Sequence, residues 1–353
     1  MKIIHIESGL GNQMLSYCEY LALKMMNPDD EFYLETIIYD IPECNQLICQ
    51  WNGYELERIF GIDRPKNIKT LFSQNEWDSI MKEIRDSEFW IHNWNYPVAF
   101  TDVFRKHGLE LDNIRGNFDP NKSIIIGTEC QQKMRWKDNL RHTWIWVTLK
   151  RYYSQMHESH FIEKENKKET LFLKTDREVF TGQWLAFKYR GNNRELIDDE
   201  IRNVFRFPPF IDEKNKQMAG FLCSCNSVAI HARRGDMLGA NGWCYKYGYF
   251  MRAVKHIRRN VDNPVFVFFT NSGSIEWCKD NASIFGIDNT KDKVLFVDWN
   301  GGEDSYRDMQ LMGYCKHAII TNSSFGWWGA YFIQNPDKIT ISPLVEMDTT
   351  YHC

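Results

Sequence analysis

Apolar and polar positions alternate along this chain in two periods, and each change of period marks an element. Residues 2–6 form a short apolar run that reads as a strand. After the glycine turn Gly9-Leu10-Gly11-Asn12-Gln13, the positions Met14, Tyr17, Cys18, Leu21 and Met25 recur at helical spacing as far as Met26. Residues 32–39 and 124–127 look like further strands. Residues 73–85 predict an amphipathic helix with Trp77, Ile80, Met81 and Ile84 on one side. Residues 196–207 predict a helix that Pro208-Pro209 stops. Beyond it the alternation becomes regular, with strands at 228–232, 265–269, 294–298, 317–321 and 338–341. Helical patterns fall between them at 247–259, 274–282, 304–315 and 325–333. Strands alternating with helices of this length predict an α/β fold with a parallel sheet covered on both faces.

One stretch breaks the rhythm. From Gln131 to about Thr181, Trp136, Trp144, Trp146, Tyr152 and Tyr153 are interleaved with basic residues. Aromatics among polar residues can form a sugar-stacking surface. The reading preferred here is a helical insertion packed on the core, because apolar stripes usually mark core. The charge run Glu163 to Glu169 reads as a solvated loop.

With 353 residues the chain has room for about two domains, placed at 1–210 and 211–353. Its 43% apolar and 25% charged residues are ordinary for a globular protein. A net charge of −4 with no basic block argues against nucleic acid as a partner. No apolar run reaches the ~20 residues that span a bilayer, so peripheral membrane association is the most that is expected. The start, MKIIHIESGLGNQ, lacks the apolar core and cleavage site of a secretion signal. Ten scattered cysteines without a C-x-x-C pair then read as reduced thiols, many of them buried, in a cytoplasmic protein.

Chemistry gathers at predicted strand ends. Residues 228–236 read VAIHARRGD. Ligands of open α/β sheets bind beyond the carboxyl ends of strands, where His231, Arg233, Arg234 and Asp236 would stand. Two guanidiniums make a permanently charged fork matched to phosphate oxygens. The alternative is that one arginine pairs with Asp236 or another acid and only holds a loop. A second strand ends in Thr270-Asn271-Ser272-Gly273 and a third in Thr321-Asn322-Ser323-Ser324-Phe325. The third opens a helix, so Asn322, the hydroxyls of Ser323 and Ser324, the Phe325 N–H and the positive helix end can surround a phosphate. Plain N-capping needs only one serine. Asp298 ends another strand, where it can accept hydrogen bonds from a base or ribose or simply close a loop. Near the amino terminus, Gly11, Asn12 and Gln13 can approach a sugar or diphosphate, or merely pack a helix on a strand. No Asp-x-Asp pair occurs anywhere. Hard cations need such oxygen ligands, so neither metal nor cofactor is expected.

Together these motifs resemble the bacterial α-1,2-fucosyltransferase family, glycosyltransferase family 11. HARRGD resembles its His-x-Arg-Arg-x-Asp motif, GLGNQM its amino-terminal signature, and SYRDMQLMGYCKHAIITNSSFGWW its third motif with the preceding helix and strand. The second motif departs from the pattern. Thr270-Asn271-Ser272 stands where Ser-Asp-Asp is usual, although Ile275-Glu276-Trp277-Cys278 persists. The resemblance implies a GT-B-like fold, two Rossmann-like domains facing a central cleft. It implies GDP-fucose as donor, held by the carboxyl-terminal domain, and an acceptor-side amino-terminal domain. It further implies metal-independent transfer of L-fucose, with inversion, to O2 of a terminal galactose on an oligosaccharide. The alternatives are a transferase for another GDP-sugar and a non-catalytic glycan- or nucleotide-binding homologue.

On this reading Arg233 holds the departing diphosphate, with Arg234 assisting or structural. Asn271 and Asp298 serve the nucleotide. Asp236 and His231 are the candidate proton acceptors. A carboxylate between two arginines favours pairing over proton transfer, and a histidine ending a buried strand is more often structural. If departure of the leaving group runs ahead of attack, no strong base is needed.

Overall fold

The computed structural model describes residues 1–46, 52–62, 66–90, 96–113, 143, 145–146, 149, 152–153, 156, 179–181, 192–235, 238–271 and 273–343. Along these the chain divides into two compact units, one running up to Arg206 and the other from Phe207.

In the first unit β1 (Lys2–His5) leads into α1 (Leu10–Met26). The glycine turn is shorter than the sequence suggests. Gly9 occupies the N-cap, so Gly11, Asn12 and Gln13 lie in the first turn of the helix. β1 pairs on one side with β2 (Phe32–Glu35) and on the other with β4 (Val179–Thr181), which also pairs with β3 (Asp112–Asn113). The four strands are parallel, in the order β2-β1-β4-β3. β2 ends earlier than the predicted 32–39, and Ile37–Asp40 form a 3-10 turn instead. The cause is local. The Ile37 N–H donates to the Glu35 carboxylate at 2.5 Å, an alternative to continuing the ladder. Around the sheet lie α2 (Glu55–Phe60), α3 (Gln74–Asp86), α4 (Tyr96–Lys106) and α5 (Asn192–Val204). α3 confirms the amphipathic pattern. A Ser73–Glu76 capping box starts it, and Trp77, Ile80 and Ile84 enter a core with Ile3, Ile38, Phe100 and Phe104.

The insertion is helical at Ile145, Trp146, Leu149, Tyr152, Tyr153 and Met156. It does not follow the expected packing at these positions, since all six side chains are half or more exposed. Trp136, Trp144, the predicted strand at 124–127 and the charge run 163–169 lie outside the described residues.

The second unit runs α6 (Glu213–Ser224), β5 (Ser227–Ala232), α7 (Leu238–Lys246), α8 (Tyr249–Asn260), β6 (Val265–Thr270), α9 (Ile275–Asp280), β7 (Lys293–Val297), α10 (Tyr306–Gly313), β8 (His317–Ile320), α11 (Ser324–Tyr331) and β9 (Thr340–Ile341). Its five strands are all parallel, in the order β7-β6-β5-β8-β9. β5 is buried along its whole length, as a continuous apolar run in a parallel sheet should be. Successive residues point to opposite faces. Ala229, Val267, Phe269, Ala318 and Ile320 pack under α6, α10 and α11, while Val228, Ile230, Phe266, Phe268 and Ile319 pack under α7, α8 and α9. Each buried Phe of β6 contributes about 1.5–3 kcal/mol relative to exposure. α7 was not foreseen from the apolar pattern, because Gly239 and Gly242 make 238–246 read as a loop.

The described cysteines Cys18, Cys44, Cys223, Cys225, Cys244, Cys278 and Cys315 are free thiols, and five of them are buried. Among the described residues no helix is long and apolar enough to cross a membrane.

Candidate active site

The strand order of the second unit fixes where a ligand can enter. The chain steps outward from β5 through β6 to β7, then returns to place β8 on the other side of β5. The order therefore reverses between β5 and β8, and binding crevices of such sheets open at that point beyond the carboxyl ends. His231 is in register with Ile320, so the HARRGD turn and the Thr321-Asn322-Ser323 turn leave the sheet side by side.

One hydroxyl joins the two turns. Thr321, almost fully buried, donates its Oγ1 hydrogen to the His231 carbonyl (3.1 Å) and accepts the Arg233 N–H on the same oxygen (3.1 Å). The Tyr245 hydroxyl of α7 donates to the Arg233 carbonyl at 2.9 Å. The Arg233 backbone is thus bonded at both its N–H and its carbonyl, and the side chain rises half-buried from that anchored turn.

Arg234 is placed differently. Its N–H donates to Asn271 Oδ1 (2.9 Å), and its guanidinium lies 3.2 Å from the ring centre of Trp277 and 5.0 Å from that of Tyr245. Burial against these rings draws its pKa down, yet arginine stays charged. Of the two roles the sequence allowed, the structural one describes this geometry: Arg234 is the filling of an aromatic clamp. Asn271 has a backbone task as well. Gly235 has φ +58°, and a Cβ there would meet Asn271 Nδ2 at 2.7 Å. Asp236 and Ser272 lie outside the described residues.

His231 does not fit the role of proton acceptor. Burial, and next the charge of Arg233, push its pKa down to about 3, so the ring is neutral and weakly basic near pH 7. Its face stacks on Phe325 at 5.7 Å, and a Cβ on Gly326 would meet Nδ1 at 2.5 Å. The glycine lets α11 sit directly against the imidazole.

The start of α11 is open. Ser323 occupies the N-cap with extended backbone, but its hydroxyl makes no capping bond. The plain-capping alternative therefore fails, and the first-turn N–H groups keep the positive helix end unquenched by a side chain. Ser323, Ser324 and Phe325 are all half-exposed. Asn322 behind them is buried. Asn241 of α7 clamps its backbone, accepting its N–H (3.0 Å) and donating to its carbonyl (3.4 Å). The Asn322 Nδ2 has no hydrogen-bond partner among the described residues.

Asp298 is exposed at the end of the edge strand β7. It stands two strands from β5, roughly 10 Å by ordinary strand spacing. The geometry keeps it apart from the Arg233 turn. Sequence reasoning gave no role to three groups that shape this rim: Thr321, Asn241 and Asp308. Asp308 sits in the first turn of α10, and burial pushes its pKa up to about 7 against a 2.8 Å bond from Asn300 Nδ2. Its only signal in the sequence is a carboxylate beside Met309 near the start of a mixed polar and apolar helix.

In the first unit the Gln13 amide is already engaged. Nε2 donates to the carbonyls of Ser8 and Gly53, each at 2.8 Å, and Oε1 accepts the Glu55 N–H at 2.8 Å. Gln13 ties loops together rather than orienting a sugar. Asn12 is half-buried, and Gly11 is buried within the same helical turn. His5 is buried at the end of β1, with Nδ1 on the Glu35 carboxylate and Nε2 at 3.5 Å from Glu7.

The crevice residues all fall within the segment that matches the model of glycosyl transferase family 11, residues 189–352. The matched segment carries both HARRGD and NSSFGWWGA. Relatives include an alpha-1,2-colitosyltransferase of Escherichia coli, 34% identical over 46% of this chain and 54% of that protein. Another is galactoside alpha-(1,2)-fucosyltransferase 1 of Oryctolagus cuniculus, 26% identical over 59% of this chain and 50% of that protein. The chain thus spans about half the length of these curated relatives. Among solved structures, fucosyltransferase NodZ from Bradyrhizobium aligns over 93% of this chain and 91% of that one, with a TM-score of 0.42 and 9% identity.

Proposed function

We propose that this protein is a glycosyltransferase that moves L-fucose from GDP-fucose to O2 of a terminal galactose, inverting the anomeric carbon and using no metal. The observation that carries the reading is the meeting of two anion-binding devices at the β5/β8 reversal. The Thr321 hydroxyl fixes the Arg233 turn beside an uncapped helix start at Ser323. Cleaving the donor's glycosidic bond leaves one further negative charge on the diphosphate, on its terminal phosphate. Arg233 and the N–H groups of Ser324 and Phe325 are where that charge would be received. Such preorganised donors act on charge as it develops, and removing one in other enzymes costs on the order of 3 kcal/mol.

Ser323 and Ser324 add hydroxyls to the same pocket, and Asn322 offers its buried amide. Asp298 and Asn271 are left to the nucleoside end of the donor. Arg234 acts through the clamp it fills, by holding the shape of the arginine turn. With the His231 ring neutral, Asp236 is the remaining candidate base, and an oxocarbenium-like transition state lessens the demand for one. The metal-free reading rests on the absence of any Asp-x-Asp pair and on the cationic groups that replace it.

A second donor is worth weighing, since one relative is named for colitose and the other for fucose. A GDP-release assay across GDP-fucose, GDP-colitose and GDP-mannose, with galactose-ended oligosaccharides and with chelator present, tests both points. GDP-fucose should support acceptor-dependent release that chelator leaves intact. Release only from another GDP-sugar, or only with added divalent cation, would reject the proposal as stated.

A further inference from the structure

Four helices of this protein answer a cation with an acid of their own. Arg105 pairs with Asp102 on α4, Arg202 with Asp198 on α5, Lys216 with Glu213 on α6 and Lys279 with Glu276 on α9. α8 does the opposite. From Leu238 to Val261 there is no Asp or Glu, while Lys246, Arg252, Lys255, Arg258 and Arg259 are present, in a chain whose net charge is −4. Arg258 finds its acid outside the helix, in Asp292 at 2.5 Å. Arg252, Lys255 and Arg259 form no ion pair among the described residues, and Arg252 only donates to the Tyr247 carbonyl at 2.6 Å. All three are exposed.

At about 100° per residue these three cations fall within an arc of roughly 60°, a straight row about 10 Å long. The row lies opposite Phe250, Ala253, Val254 and Ile257, which the helix buries against the sheet. At the head of α8 the Tyr249 hydroxyl donates to the Ile320 carbonyl at 2.6 Å, so the row starts beside the carboxyl rim. Spread along the convex outside of a helix, the row cannot enclose a small anion. A nucleic acid is drawn by a domain-wide positive field, which a chain of −4 does not supply. What the row complements is a broad anionic surface, where each Lys or Arg adds its own attraction to the headgroups. Met251 flanks it, 50% exposed, with an apolar side chain that a bilayer accepts. We infer that the α8 row docks this protein on an anionic lipid bilayer, reversibly and through headgroup charge, with the helix still packed on its sheet. The surface is separate from the arginine turn, and the inference stands whether or not the donor assignment does.

The test uses the full chain and two double variants of equal net charge. Lys255→Gln with Arg259→Gln discharges the row, while Lys66→Gln with Lys216→Gln removes two exposed cations that already have acids, Glu31 and Glu213. Co-flotation is measured with phosphatidylcholine vesicles, with and without phosphatidylglycerol, at low and high salt. The native protein should float with the anionic vesicles, less so as salt rises, and poorly with the neutral ones. The row variant should lose about tenfold or more of that partitioning, and the control pair should keep it. Far-UV circular dichroism and the melting curve of the row variant should stay native, because neither side chain holds a partner in the folded chain. Native flotation no better with anionic than with neutral vesicles would overturn the inference. So would a row variant that floats like the native chain, or a control pair that loses as much as the row variant. Binding to a nucleic-acid duplex without flotation, or a native dimer that the row variant dissociates, would give the row another occupant and overturn it as well.

Discussion

Replacing Thr321 with valine tests the arrangement of the site through a single oxygen. Valine keeps the shape of threonine and removes the hydroxyl. Two bonds are lost, but they are not equivalent. The His231 carbonyl still accepts the Thr321 N–H at 3.2 Å, so it keeps a partner. The Arg233 N–H loses the 3.1 Å acceptor that the structure gives it. Leaving a donor unsatisfied at a largely buried position costs about 1–2 kcal/mol. If Arg233 grips the diphosphate, the ligand must restore that order on binding, so GDP affinity should fall by about 5–30-fold, the ratio equivalent to 1–2 kcal/mol. The melting temperature should drop by roughly 2–6 °C. Isothermal titration with GDP and a thermal melt measure the two effects, with Thr321→Ser as the control that restores both bonds. Native affinity in Thr321→Val would refute the claim that this hydroxyl positions a phosphate-binding turn.

Two further substitutions probe the same rim. Gly326→Ala would press a methyl to within 2.5 Å of His231 Nδ1 and 2.9 Å of its Cγ, so α11 must shift. Overpacking of this kind costs about 1–3 kcal/mol, and the variant should lose stability in urea and turnover together; native values for both would contradict the close contact. Asp308 governs pH dependence. Its pKa is raised from 3.8 to about 7, so the folded state favours the neutral acid. Its contribution is full below about pH 4 and is lost as pH rises through about 7, on the order of 4 kcal/mol in all. Urea unfolding at pH 5 and pH 8 should show Asp308→Asn losing less stability with rising pH than the native chain. An equal loss in both would show that Asp308 is ionised and solvated in the folded protein.

Much of the second unit was legible in the sequence because its strands are continuous apolar runs. β5, β6 and β8 could be nothing but buried parallel strands, and the residues after them had to stand on the carboxyl rim. Periodicity also drew α3 correctly, and α1 from Met14 onward. The residues that periodicity misplaced share one feature, a partner distant in sequence. Nothing local says that Arg234 will stack on Trp277, or that Gln13 will spend its amide on Ser8, Gly53 and Glu55. The aromatic insertion makes the same point in reverse. Its aromatics read as packed on the core, but the local sequence cannot say whether protein covers them, and Trp146, Tyr152 and Tyr153 are exposed. α7 was hidden by its two glycines, and with it the Asn241 clamp on Asn322 and the Tyr245 bond to Arg233.

The central claim is that fixed cationic and N–H groups at the β5/β8 reversal receive the nucleotide's negative charge. A crystal structure with GDP bound measures this most directly. The account predicts diphosphate oxygens about 3 Å from the Arg233 guanidinium and from the N–H groups of Ser324 and Phe325. A well-ordered GDP whose phosphates lie elsewhere, with those groups facing solvent, would contradict it.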